Sequence, residues 1–112
     1  MLTFQSLDVY QVSISFLALS HKCLASWPRG FSDLGDQLRR AALSVPLNIA
    51  EAQGRTGAAD RSRIYAIARG SAMECAAVLD VSRTLGLIGE DNHAEGISQL
   101  ERVVAMLTRL CR

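Results

Sequence analysis

"RRAALSVPLNIAEAQGR", residues 39–55, is the stretch whose reading decides the fold. Its apolar residues Ala41, Val45, Ile49 and Ala52 return at steps of three and four, and Leu34 and Leu38 extend the series upstream. That is the period of a helix with one buried face. At about 100° per residue, Asp36, Arg40 and Glu51 point the other way. Pro46 sits in the middle, yet the apolar pattern continues past it. The expectation is therefore one helix from Asp33 to Gln53, kinked where proline removes the bond to the Ala42 carbonyl. Ser44 and Asn48 are nearby polar side chains able to bond freed backbone groups. Leu43 and Leu47 fall outside the buried stripe, in a row with Arg39. A second apolar row on a helix calls for a second neighbour.

Working outward, "SWPRGFSD" closes an earlier helix spanning about Asp8–Ser26. Pro28 and Gly30 are breakers, and Ser32 or Asp33 is placed to cap the helix that follows. The first helix shows two adjoining stripes: Tyr10, Ile14, Leu17 and Leu24, then Val12, Phe16, Leu19 and Cys23. Ser6 is its candidate cap. Downstream, Gly54 suits a helix end, and Thr56 or Gly57 begins a long third helix over Ala59–Leu85 with Asp60 in its first turn. Its core stripe reads Ile64, Ile67, Ala68, Ser71, Cys75, Val78, Leu79, Ser82 and Leu85. "YAIARGSAMECAAVL" is rich in small residues almost all round. Gly70 in mid-helix costs about 1 kcal/mol against alanine, which suggests a close helix neighbour there. After "LGLIGEDN", a fourth helix spans His93–Leu110, with "NHAE" resembling a capping box. Its core positions are Ile97, Leu100, Val103, Val104, Leu107 and Leu110. Short connections favour antiparallel neighbours. The 112 residues thus read as a single all-α domain, an antiparallel up-down-up-down four-helix bundle over residues 1–112.

Hydrophobic residues make up 49% of the chain but aromatics only 5%, so the core must be aliphatic and alanine-rich. No apolar run approaches the ~18 residues needed to cross a bilayer. The first charge is Asp8, and no basic leader precedes it. Cys23, Cys75 and Cys111 form no C-x-x-C pair and are odd in number, which favours reduced thiols. These features predict a cytoplasmic protein without a membrane role.

The chemistry-bearing residues are sparse. His21 and His93 lie at different helix ends, and no nucleophile–base pair follows from spacing. Glu90, Asp91, His93 and Glu95 gather in "EDNHAE", but a loop followed by a helix cap accounts for them. No phosphate-binding glycine loop is present. No catalytic residue, metal or cofactor is expected. What stands out is charge. The chain carries a net +1, yet Arg39, Arg40, Arg55, Arg61, Arg63 and Arg69 face only Glu51 and Asp60 within residues 39–69. Arginine suits phosphate forks and also interface ion pairs. A set of solvated or salt-bridged arginines is the plainer alternative.

The segments "FQSLDVYQVSISF", "LGDQLRRAALSVPLNIAEAQGR" and "YAIARGSAMECAAVLDVSRTLGLI" resemble the bacterial four-helix-bundle family. It is also called the 23S rRNA intervening-sequence protein family, and it includes the accessory variability determinants of diversity-generating retroelements. Ala52 departs from the family's usual glycine, and "TGAAD" from its usual serine cap. The resemblance implies a homopentameric ring, no enzymatic activity, and in some members a basic surface for RNA or DNA or a reverse transcriptase as partner. Arg39, Arg40, Arg55, Arg61, Arg63 and Arg69 would then be the nucleic-acid contacts. Leu43, Leu47, Gly70 and Glu74 would be candidate subunit contacts. The competing expectation is a protein-interaction scaffold whose arginines pair with Glu51 or Glu74 of another subunit, or face an acidic partner.

Overall fold

A computed structural model describes residues 1–112. Four helices dominate: α1 (Asp8–Leu24), α2 (Ser32–Gln53), α3 (Ala58–Thr84) and α4 (Glu90–Leu110). Short 3-10 turns at Thr3–Ser6 and Arg29–Phe31 precede α1 and α2, and there is no strand. Each helix packs on its chain neighbours, α4 closes back onto α1, and the diagonal pairs keep their backbones farther apart. Ser44 bonds Ser71 and Gln53 bonds Tyr65, so position rises along α2 as it falls along α3. The same reversal joins α3 to α4 through Ser62–Cys111, Arg69–Thr108 and Asp80–His93. The body measures 43 × 26 × 23 Å.

The breaks fall where the glycines and Pro28 stand. Gly54 follows the last residue of α2 as its cap, and Gly57 precedes α3. At the far end of α3, Gly86 alone adopts a left-handed backbone, φ +76°. The Leu87 N–H reaches the Ser82 carbonyl at 2.8 Å and the Gly86 N–H reaches that of Arg83 at 3.0 Å. This paired capping arrangement needs a residue free of Cβ strain at Gly86. The expected side-chain caps at the helix starts do not form. Leu7, Phe31 and Gly89 precede α1, α2 and α4, with no side-chain bond to the helix. Ser6 instead donates to the Thr3 carbonyl within its own turn. Ser32 and Asp33 already lie inside α2. Helix α4 begins at Glu90, three residues before His93, so "NHAE" is helix interior and not a cap. Glu90 and Asp91 in that first turn do the cap's electrostatic work.

Helix α2 runs unbroken through Pro46, which is buried. Proline has no N–H to offer Ala42, and Asn48 makes a local bond of its own, donating to the Ser44 carbonyl at 2.8 Å and to the Ser44 hydroxyl at 2.9 Å. The α2 stripe of Leu38, Ala41, Val45, Ile49 and Ala52 is buried as its spacing requires. In α1 the stripe Val12, Phe16, Leu19 and Cys23 faces inward, while Tyr10 and Leu17 are half-buried and Ile14 is exposed. Ile67, Leu85 and Leu110, expected in the core, are also exposed. Each sits at the edge of its helix's apolar arc, and only the position of the neighbouring helix decides which edge is covered. Three buried serines, Ser13, Ser20 and Ser82, donate to carbonyls of their own helices, so their hydroxyls are satisfied without a partner helix.

Close helix approach occurs at Gly96, not at Gly70. Gly70 is exposed, and a Cβ there would meet nothing within 4 Å of this chain. Gly96 is buried, and a Cβ there would lie 2.7 Å from Leu79 Cδ1 and 3.5 Å from Phe16 Cε1. Gly96→Ala is therefore expected to lower the urea unfolding midpoint by the equivalent of about 1–2 kcal/mol, overpacking outweighing the gain in helix propensity. A midpoint that rises would show that Leu79 relaxes freely.

Candidate nucleic-acid interface

The six arginines between Arg39 and Arg69 are not alike once folded. Arg39 Nη1 lies 2.8 Å from Asp36 Oδ1, one turn back on α2. Arg55 Nη2 lies 2.7 Å from Glu51 Oε1 and its Nε 3.6 Å from Asp60. Arg63 Nη2 lies 2.8 Å from Asp60 Oδ1. Arg61 turns its Nη1 back onto the Arg55 and Thr56 carbonyls, where α2's carbonyl end is partly negative. Arg69 is half-buried between α3 and α4, its Nε donating to Thr108 Oγ1 at 2.8 Å. Arg40 is exposed and makes no ion pair or hydrogen bond within the chain. So three of the six have their charge matched by a carboxylate on the spot, and three do not.

The matched groups show it in their acidity. The Arg63 hydrogen bond holds the Asp60 carboxyl below the usual carboxylate range, against an upward push from burial and with help from Arg55. The Glu51 hydrogen bond, with Asp60, pushes Arg55 still higher. Exposed pairs of this kind are worth little to the fold, because solvent screens them.

The residues expected at subunit contacts sit on the outer side of α2 and α3. Leu47 is 64% exposed and Leu43 42%. Gly70 and Glu74 face solvent beside and one turn beyond Ser71, whose bond to Ser44 joins the two helices. That register brings exposed Ile67 to the level of Leu47. Leu43 turns toward α1 and lines a groove of about 470 Å³ with Ile14, Leu17 and Leu24, with Arg39 and His21 also on its wall. Glu51 is already taken by Arg55, whereas Glu74 has no partner in the chain.

Other reactive groups are accounted for structurally. Burial pushes the Cys75 thiol up to about 12 and raises that of Cys23, so both behave as small hydrophobes. His93 is not a loop residue but a buried one: its Nε2 lies 2.8 Å from Asp80 Oδ1, and its Nδ1 3.4 Å from Arg83 Nη1. Arginine can only donate, so geometry assigns the ring proton to Nε2, toward Asp80. The charge sum over residues 39–69 also passed over Arg102 and Arg109, which lie exposed on α4 without a carboxylate within 4 Å. Their spacing of seven on one helix was the signal for them.

The fold and its arginine-bearing surface define an all-helical bundle with unpaired guanidinium groups on its outer faces and unpartnered leucines beside them. The chain belongs to the 23S rRNA-intervening sequence protein family, whose model matches residues 5–109. A comparison with curated proteins found no match.

Asp60 gives a pH test of the arginine pairs. Its folded-state acidity is enhanced, so its contribution to stability is complete above the ordinary carboxylate range and is lost as pH falls through the depressed folded value. Asp60→Asn is expected to lose less melting temperature than the wild type on acidification from about pH 5 to pH 2. Equal losses would mean that the pairing with Arg63 and Arg55 does not reach the stability of the fold.

Proposed function

We propose that this protein is a non-catalytic bundle that assembles into a homo-oligomeric ring, a pentamer as the family resemblance implies, and binds the phosphates of RNA or DNA through its arginine surface. The observation that carries this reading is that Arg40, Arg61 and Arg69 keep their charge without a carboxylate partner on a chain of net charge only +1. Ring symmetry repeats such a patch around the assembly, so a nearly neutral subunit yields a strongly basic surface. The exposed Leu43 and Leu47 supply the apolar area that self-association buries. The family's description names an rRNA intervening sequence and no reaction.

A second reading has its own support. Arg39, Arg55 and Arg63 are already satisfied by carboxylates, while Glu74 stands unpartnered on the outer face with Leu47 and Ile67. That pattern suits a protein-interaction scaffold, with Glu74 meeting an arginine of another subunit or of a partner such as a reverse transcriptase.

Fluorescence anisotropy of a labelled structured RNA and a DNA duplex over a salt series separates the two. The first reading expects binding of both, with log affinity falling by about 0.7–0.9 per phosphate contact for each log unit of salt. No binding at low salt favours the scaffold. In parallel, Leu47→Asp is expected to reduce the assembly to smaller species by light scattering. An unchanged mass would place the subunit contact elsewhere.

A further inference from the structure

We infer that the phosphate-contact surface runs along the outer face of α4, from Arg69 at the α3–α4 seam to Arg102 and Arg109, with Thr108 as the residue that positions Arg69. The inference rests on the phosphate-binding reading above and relocates its site. Arg102 and Arg109 lie outside the arginine-rich stretch that the sequence singles out.

Thr108 holds a defined relay. Its hydroxyl donates to the Val104 carbonyl at 2.7 Å, so its hydrogen is spent and its lone pairs accept the Arg69 Nε at 2.8 Å. Arg69 is thereby fixed through one nitrogen. Its two terminal amino groups make no bond within the chain. A guanidinium tethered at Nε, half-buried and open at both terminal nitrogens is pre-set for a two-point bond to a phosphate, and little ordering remains to be paid on binding. Arg83 also bonds a neutral side chain, His93, but its guanidinium lies 3.9 Å from Glu90 as well, so only Arg69 is anchored in this way with no acid beside it.

The surroundings add charge of the same sign. Arg109 follows Thr108 by about 100° round α4, toward the side that meets the start of α1. Arg102 precedes it by seven residues, which puts the two on one face of α4 about 10.5 Å apart. Both are exposed. From Arg102 to Arg112 the sequence has three arginines and no acid. Glu101 precedes this run, and Asp8 lines a shallow pocket with Arg109, but neither comes within ion-pairing distance of an arginine. The Ser62–Cys111 and Arg69–Thr108 bonds set this end of α4 beside the start of α3, which carries Arg61. The other end of the same helix pair bears Asp80, Glu90, Asp91 and Glu95 against Arg83 alone. A nucleic-acid backbone is attracted to one end and repelled by the other.

Arg39 and Arg63 differ in kind. A carboxylate 2.8 Å from each guanidinium cancels most of its field. An approaching phosphate gains from the arginine and loses to the acid. Few counterions accumulate there, so few are released.

The test uses the full chain, a labelled RNA hairpin and a DNA duplex, between about 50 and 200 mM salt. Arg102→Gln/Arg109→Gln is expected to weaken binding to both by about tenfold or more at the low-salt end and to reduce the log–log salt slope by about 1.4–1.8. Arg39→Gln/Arg63→Gln is expected to change affinity less than about twofold, since the two charges it withdraws lie outside the contact. Thr108→Val keeps every charge and is expected to weaken binding at an unchanged slope, with Thr108→Ser restoring it. Circular dichroism confirms that each variant is helical. If the wild type binds and the Arg39/Arg63 variant loses as much as the Arg102/Arg109 variant, the surface is wrong and the phosphate reading stands. If Thr108→Ser fails to restore what Thr108→Val loses, Thr108 is no positioning residue. If the wild type binds neither probe at low salt, the phosphate reading falls and takes this surface with it.

Discussion

Small side chains between α2 and α3 set the geometry on which the rest depends. Ala41, Ala42 and Ala52 on α2, with Ala68 and Ala72 on α3, are buried, and this helix pair has the most extensive contact in the bundle. Alanine lets the backbones approach until Ser44 and Ser71 share a hydrogen bond of 2.8 Å across the seam. A core built from methyl groups and β-branched residues, with few aromatics, leaves little slack. Gly96 repeats the principle where α4 passes α1 and α3, since even one methyl there meets Leu79. The tight seam fixes the register of α2 on α3, and through Arg69–Thr108 and Asp80–His93 that of α3 on α4.

Register in turn sorts the arginines. Those whose nearest acid lies three or four residues back in the chain, Arg39, Arg55 and Arg63, are neutralised locally. Those that cross to another helix or face outward keep their charge. Surface pairs add little stability, so their effect is on the field the protein presents and not on whether it folds. A count of basic residues along the chain cannot distinguish the two groups, because the cancelling acid and the arginine enter the same sum wherever they stand.

The bundle also leaves apolar surface uncovered. Leu43, Leu47 and Ile67 lie on outer faces of α2 and α3, and Ile14 joins Leu43 in the groove against α1. Four helices in a closed square bury one arc of each, and a helix with a wider apolar arc must show the remainder. This is why the first helix's second stripe is buried while Ile14, at the edge of the other, is not.

Helix number, approximate ends and the inward stripe of α2 were legible in the sequence, because periodicity and the glycine and proline breaks act over one or two turns of local chain. The continuation of α2 through Pro46 was legible for the same reason. The start of α4 was misplaced by three residues, and the side-chain caps expected at α1, α2 and α4 are absent: Leu7, Phe31 and Gly89 occupy those positions, and acids in the first turn of each supply the favourable charge. Only the tertiary structure decided which edge of each apolar arc is covered, that Gly96 and not Gly70 marks the close approach, and that Arg69 is held by Thr108, 39 residues away. Each of these depends on the distance between groups far apart in the chain, which packing sets and local pattern does not contain.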